Sequence, residues 1–435
     1  MLSRRNTWLA CVVIGVFCTG SSSVDAKIFA ALALVLVGAK LVGDLFERIG
    51  QPAVLGELLA GIVIGNLTLA GYDGLAFITT NQQLAMLAEI GVILLLFEVG
   101  LESDLIEMAR VGATAFMVAI VGVVVPVALG YGVHALFAPD STWHSHLFIG
   151  AVLAATSVGI TARVLKDIGQ IKSATARVVL GAAVIDDVLG LIVLAVVVGI
   201  VGGANTGESL STVKILIIIG KAVGFLGGAI LLGRPVSRWL FKLACSLRVR
   251  GVLLAVSLGF CFALSYGAGA VGLAPIVGAF AAGIVLDALT YRDLETREHH
   301  SLEHLLEPIT SFLVPVFFVV TGAKVQLSSL NSVSIIGLAL ALTAVAIVGK
   351  QVCSLVAFGD GVNKLAVGLG MIPRGEVGLI FAAVGEQLVL GGKPVIDQST
   401  YAAVVFMVMV TTMVTPPVLA WALKKDVPTA PEATD

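Results

Sequence analysis

Apolar stretches of about twenty residues recur along the chain, each long enough to cross a hydrocarbon core ~30 Å thick. Thirteen spans are expected, over residues 28–46, 53–71, 83–101, 111–137, 145–166, 174–200, 212–233, 250–268, 273–289, 306–323, 331–357, 363–387 and 399–423. The fifth and twelfth are interrupted. The fifth carries Ala155-Thr156-Ser157-Val158-Gly159-Ile160-Thr161, three hydroxyls and a glycine at mid-depth. The twelfth carries Gly370-Met371-Ile372-Pro373-Arg374-Gly375-Glu376-Val377-Gly378, where Pro373 removes a backbone donor and the glycines loosen the helix. The breaks fall seven spans apart, and an odd offset sends them across the membrane in opposite directions. That pattern predicts inverted repeats whose broken helices meet at the midplane around a substrate site. Simple Pro/Gly kinks are the alternative, but they leave Arg374 and Glu376 as buried charges without a role.

Composition agrees with a polytopic helical membrane protein: 58% of the 435 residues are hydrophobic and only 12% charged, where a soluble domain carries about a quarter. The net charge of -2 discriminates no partner. With the mature N-terminus outside, the inside connections and tail hold sixteen Lys and Arg residues, while the outside connections hold only Lys214, Lys324 and Lys393. This bias predicts an odd number of spans and a cytoplasmic C-terminus. Residues 1–26 read as a signal peptide: Arg4 and Arg5 precede the short apolar run WLACVVIGVF, and Val24 and Ala26 suit a small-residue cleavage site. An uncleaved first helix is the alternative. The tail 425–435, with its Pro-rich, acidic VPTAPEATD, is expected to be disordered, with no soluble domain after the last span. No phosphate-binding P-loop occurs, which predicts against ATP-driven transport, and neither a cofactor nor a nucleic-acid partner is expected.

The chemistry concentrates on Asp186-Asp187, inside the apolar run VVLGAAVIDDVLGLIVLAVVVGI. A charge at the membrane centre costs roughly 3 kcal/mol on insertion scales, so two adjacent carboxylates there point to a proton or cation path. Helix neighbours point about 100° apart; one aspartate is therefore expected to pair with a cation on another helix while the other faces a cavity. Lys350, a lone lysine deep in the eleventh span, is the best partner candidate. A structural ion triad holding helices together is the alternative. Thr156, Ser157 and carbonyls freed by the break supply neutral oxygens of the kind a small hard cation prefers.

Other polar residues are less informative. Lys40 and Asp287 are expected to reach the interface from helix ends, Glu57 to cap the second span, and Glu98 and Lys221 to lie within spans without an assigned role. Cys11, Cys18, Cys245, Cys261 and Cys353 have no paired spacing and read as small buried hydrophobes. The histidines (His144, His146, His299, His300 and His304, with His134 near a span end) are placed at loops, which predicts no metal site and leaves a pH-sensing surface as their alternative role.

At these residues the chain resembles the monovalent cation:proton antiporter superfamily, in its bacterial Kef/NapA-type branch. The resemblance covers residues 27–424 and rests on Gln51-Pro52 with Gly56-Glu57, on LLLFEVGLESD ending in Glu102 and Asp104, on the Thr156-Ser157 break, on Pro373-Arg374-Gly375-Glu376 and on FFVVTG at 317–322. It implies an all-α polytopic membrane protein of about 13 transmembrane helices in inverted repeats, with two broken crossing helices in a six-helix core. After the leader 1–26 it implies scaffold or dimerisation helices over 27–110, core helices over 111–200, a linker helix over 201–245, scaffold helices over 246–329 and core helices over 330–424. It also implies a homodimer in membrane lipid, with the core moving against the scaffold. A paired aspartate marks the electrogenic sodium-type members, whereas Kef members have a non-acidic first residue. By resemblance Asp187 carries the ion and the proton, Asp186 pairs with Lys350, and Arg374 and Glu376 compensate charge. Glu98 departs from the pattern, standing where an apolar residue is usual.

The expected function is secondary active antiport of Na+ (or Li+) against H+ by alternating access, electrogenic, in the inner or plasma membrane. K+/H+ exchange of the Kef type is the nearest alternative. An intramembrane aspartyl protease needs its two aspartates on separate helices, a sodium-coupled solute symporter needs a larger cavity, and a non-transporting sensor leaves Lys350 without a purpose.

Overall fold

Each of the thirteen apolar stretches carries helix where it is described, and two of them are interrupted. The computed structural model describes residues 24–102, 112–205, 212–247, 249, 251–286, 301–328 and 332–424. Residues 1–23, which make up most of the expected leader 1–26, Asp104, Asp287, the loop bases Arg110, Arg248, Arg250, Arg292 and Arg297, the loop histidines His299 and His300, and the tail lie outside the described residues. Eight helices among the described residues are long and apolar enough to cross a membrane.

Packing divides the chain into two compact units. One draws on residues 1–91 and 309–326. It contains α1 (Val24–Arg48), α2 (Ala53–Gly65), the start of α3 (Gln82–Glu102) and most of α11 (Leu302–Ala323). Gly50, with φ 75°, turns the chain between α1 and α2, and small residues let the backbones approach closely. A side chain at Gly56 would lie 2.5 Å from the Val42 carbonyl, and Gly61 and Gly65 face Val319 and Ala323 of α11. Asn66 ties the end of α2 to the segment just after α11 by donating to Val325 O at 2.7 Å. Glu57 does not cap α2. Pro52 occupies the N-cap position, and Glu57, five residues further on, is past the free N–H groups of the first turn. It is instead buried, with Lys40 Nζ 3.9 Å away.

The other unit draws on residues 92–308 and 327–435. Its helices are α4 (Ala113–Phe137), α5 (Trp143–Ala154), α6 (Val158–Asp167), α7 (Ala174–Asn205), α8 (Thr212–Cys245), α9 (Val252–Ala270), α10 (Pro275–Val285), α12 (Val333–Gln351), α13 (Lys364–Gly370), α14 (Glu376–Gln387) and α15 (Gln398–Lys424). Helix α4 packs on α5, α7 and α12, and α15 packs on α12, α13, α14 and α6. A tight hairpin, β1 (Val389–Leu390) with β2 (Lys393–Pro394), turns through Gly391 and Gly392, both at positive φ. Two expectations need correction here. Helix α5 begins at Trp143, so His146 is not in a loop: it is buried, with its Nδ1 2.8 Å from Nδ1 of buried His134 on α4. Cys245 is exposed, because α8 runs on past Pro235 and ends at that residue, whereas Cys261 and Cys353 are buried. Lys221 is exposed on α8, and Glu98 is half-buried on α3.

Candidate functional site

The two breaks lie against each other. Helix α5 stops at Ala154 and α6 starts at Val158; α13 stops at Gly370 and α14 starts at Glu376. A helix that ends inside a protein leaves backbone groups without intrahelical partners. Here the breaks satisfy one another. Ser157 N–H donates to Pro373 O at 2.8 Å, Thr161 Oγ1 to Gly370 O at 2.6 Å, and Thr156 Oγ1 makes a long contact of 3.4 Å with Met371 O. Arg374, fully buried, turns its guanidinium to Ala155 O, to Ala154 O at 3.5 Å and to Ala346 O of α12 at 3.3 Å. A cation at the carbonyl end of α5 opposes the partial negative charge there. The carbonyls of Ala154, Ala155, Gly370, Met371, Pro373 and Arg374 already accept from protein donors, so side-chain oxygens share the site with them.

Those side chains come from four places: α7, α12 and the two breaks. Helix α7 supplies Asp186 and Asp187. Asp186 is 0% exposed, and its Oδ1 is 2.8 Å from Nζ of Lys350, which is likewise 0% exposed. Gly122 of α4 closes over this pair: a Cβ there would lie 3.3 Å from Nζ and 3.4 Å from Oδ1. The second oxygen, Asp186 Oδ2, is buried and makes no hydrogen bond. Asp187 points elsewhere and is half-buried. It lies within electrostatic reach of Asp186, Glu376 and Lys350. Glu376, half-buried at the first turn of α14, accepts from the Ser157 hydroxyl at 3.2 Å. The structure thus brings Thr156, Ser157, Asp186, Asp187, Lys350, Arg374 and Glu376 to one crossing. Lys350 faces Asp186 there, while Arg374 faces backbone carbonyls.

Two contributors stand out in no sequence motif. Gly122 sits in a run of valines and Thr412 in a hydroxyl-rich stretch of the last helix; the Thr412 hydroxyl donates to Arg374 O inside the second break. Only their approach to the site identifies them, because glycine and threonine are common in membrane helices.

A family described as "Sodium/hydrogen exchanger, transmembrane" matches residues 30–425. The chain is 41% identical to a protein of Synechocystis sp. named High-affinity Na+/H+ antiporter NhaS3, covering 94% of this chain and 93% of that one. It is 35% identical to the Na+/H+-K+ antiporter GerN of Bacillus cereus, over 91% of this chain and 96% of that one. Among solved structures, the sodium proton antiporter MjNhaP1 of Methanocaldococcus jannaschii at pH 8 aligns with a TM-score of 0.67 over 91% of this chain and 98% of that one. At 19% identity, that likeness speaks for the fold.

Proposed function

Because the chain belongs to the sodium/hydrogen exchanger transmembrane family, we propose that it is a secondary active antiporter exchanging Na+ or Li+ for H+ by alternating access. It is a multi-pass membrane transporter of that family and not an enzyme. One observation carries the reading: adjacent aspartates on α7 have opposite surroundings. Asp186 is sealed against Lys350, whereas Asp187 stays half-buried within electrostatic reach of Glu376, the carboxylate that the Ser157 hydroxyl bonds. A carboxylate so placed holds a proton or a cation but not both. Proton and cation therefore compete at Asp187, with Ser157 and Thr156 as neutral neighbours, and inward proton flow drives cation export. An electrogenic cycle needs two protons for each cation, and the second resides on Lys350. When Na+ occupies Asp187 the ammonium releases its proton, so two protons enter for each cation that leaves.

The rest of the reading follows the family pattern. Core helices over 111–200 and 330–424 move against scaffold helices over 27–110 and 246–329 in a homodimer surrounded by lipid. The protein sits in the inner or plasma membrane with its C-terminus cytoplasmic, a placement supported by the sixteen-to-three distribution of basic residues. K+ is a second cation to consider, because GerN is named a Na+/H+-K+ antiporter. The test is proton flux in proteoliposomes under an imposed pH gradient, with Na+, Li+ and K+ added in turn. Asp187→Asn is expected to abolish cation-dependent flux while the protein stays folded, since neutralising this carboxylate removes the exchange site without adding a charge. Undiminished exchange by that variant would overturn the reading.

A further inference from the structure

Three buried threonines lie within five positions on α15, and they behave differently. Thr411 donates to Met407 O at 2.8 Å and to Val408 O at 3.1 Å, and Thr415 donates to Thr411 O at 2.7 Å. Both hydroxyls return to their own helix, the usual resting place for a threonine in an apolar helix. Thr412, 1% exposed, does not: its hydroxyl leaves α15 and donates to the carbonyl of Arg374. That carbonyl belongs to the peptide joining Arg374 to Gly375. Gly375 packs so closely on the first break that a Cβ would lie 2.6 Å from Ser157 Oγ. The next residue is Glu376, whose carboxylate accepts from Ser157. A rotation of this one peptide would move the Glu376 carboxylate and the Ser157 hydroxyl together.

We propose that Thr412 is a positioning residue for cation binding: its hydroxyl fixes the Arg374–Gly375 peptide and so sets the distance of the Ser157–Glu376 wall from Asp187. The proposal rests on the reading of this site as a cation site and adds a determinant of affinity and size selectivity contributed by the last helix. Cation affinity depends on where ligand oxygens stand, and a small shift in that wall alters the fit of Na+ and Li+ unequally. Loss of one neutral hydrogen bond is worth about two- to twelvefold in an equilibrium constant.

Thr412→Val keeps the shape and removes the donor. The expected result is a KM for Na+ raised about fivefold, a changed ratio of KM values for Na+ and Li+, and a maximal rate close to wild type. Thr412→Ser should restore wild-type behaviour, Thr412→Cys should fall between, and Thr411→Val should leave KM unchanged. On a Ser157→Ala background the effect of Thr412→Val should largely disappear, because both substitutions act through the same wall. The Na+-dependent rise in melting temperature of the detergent-purified protein reads affinity without transport, so the comparison stands even if the wild type shows no exchange, an outcome that counts against the antiport reading alone. Should Thr412→Val fail to fold, the Thr412→Ser and Thr412→Cys series carries the test. The proposal is overturned by an unchanged KM and unchanged Na+ stabilisation. It is equally overturned by an effect of the same size on the Ser157→Ala background, or by a fall in rate and melting temperature with no change in KM.

Discussion

Asp186 and Lys350 face each other at 2.8 Å with no exposed surface, and Gly122 of α4 leaves no room beside them. Removing one partner of such a pair leaves a buried charge without compensation, at a cost of about 3–5 kcal/mol. Asp186→Asn and Lys350→Ala are each expected to lower the melting temperature in detergent, and the double variant to regain part of the loss because no orphan charge is left. A double-mutant cycle isolates this coupling. Strictly additive destabilisation would separate the two residues energetically. If Lys350 carries the second proton, the double variant should still exchange through Asp187 but move no net charge, which membrane-potential dyes can read in the same vesicles. Much of this site is legible in the sequence. Two carboxylates in an apolar run and a lone lysine in another have few alternatives in a membrane, because an unpaired charge there is so costly. Gly122 and Thr412 are not legible for the opposite reason: their side chains cost nothing in lipid, and only the neighbouring helices give them meaning.

Helices begin and end where local chemistry dictates, and most of those points can be read in advance. Pro373 with its flanking glycines ends α13, and the hydroxyl cluster after Ala155 separates α5 from α6. What the residues do not disclose is which groups then satisfy the open ends. Arg374 looks like a partner for an acid, yet its guanidinium serves the carbonyls of α5 and α12. His146 looks like a loop residue, yet α5 starts early enough to bury it against His134. The start of α15 offers a test at this scale. Asp397 Oδ1 accepts from the Thr400 N–H at 2.8 Å and Oδ2 from the Ser399 hydroxyl at 3.0 Å, capping the helix. Partial burial opposes ionisation of Asp397, but the hydrogen bonds from Thr400 and Ser399, aided by nearby His134, outweigh it and hold its pKa below the usual carboxylate value of 3.8. A pKa lower in the folded than in the unfolded state means the stabilisation is fully present above about 3.8 and is lost as pH falls through the lower, folded-state value. Asp397→Ala should therefore cost about 1 kcal/mol of stability at neutral pH. The gap between variant and wild type should narrow in melting curves taken below pH 3.8. A gap that does not depend on pH would assign the loss to packing instead of the cap.

Across the whole molecule, hydropathy and loop charge carry the information. The helices fall on the expected stretches because a run of apolar residues in lipid has to close its own backbone hydrogen bonds. The way helices cross depends on glycines such as Gly61 and Gly322, which single-sequence periodicity does not distinguish from glycines that meet nothing, such as Gly220 and Gly224. Orientation is the remaining global property, and the chain contains a reporter for it. Cys245 is exposed at the end of α8, beyond Arg234, Arg238 and Lys242, whereas Cys261 and Cys353 are buried. Basic residues are retained on the cytoplasmic side, so this end of α8 should face the cytoplasm. A membrane-impermeant maleimide is expected to label Cys245 in inside-out vesicles and to leave it unlabelled in right-side-out vesicles until they are permeabilised. Cys245→Ser should abolish the signal, which separates this thiol from Cys11 and Cys18. Labelling of Cys245 in sealed right-side-out vesicles would invert the orientation. The carboxylate site and the direction of exchange would stay as they are, because the gradients set that direction, but the end of the site facing each compartment would be exchanged.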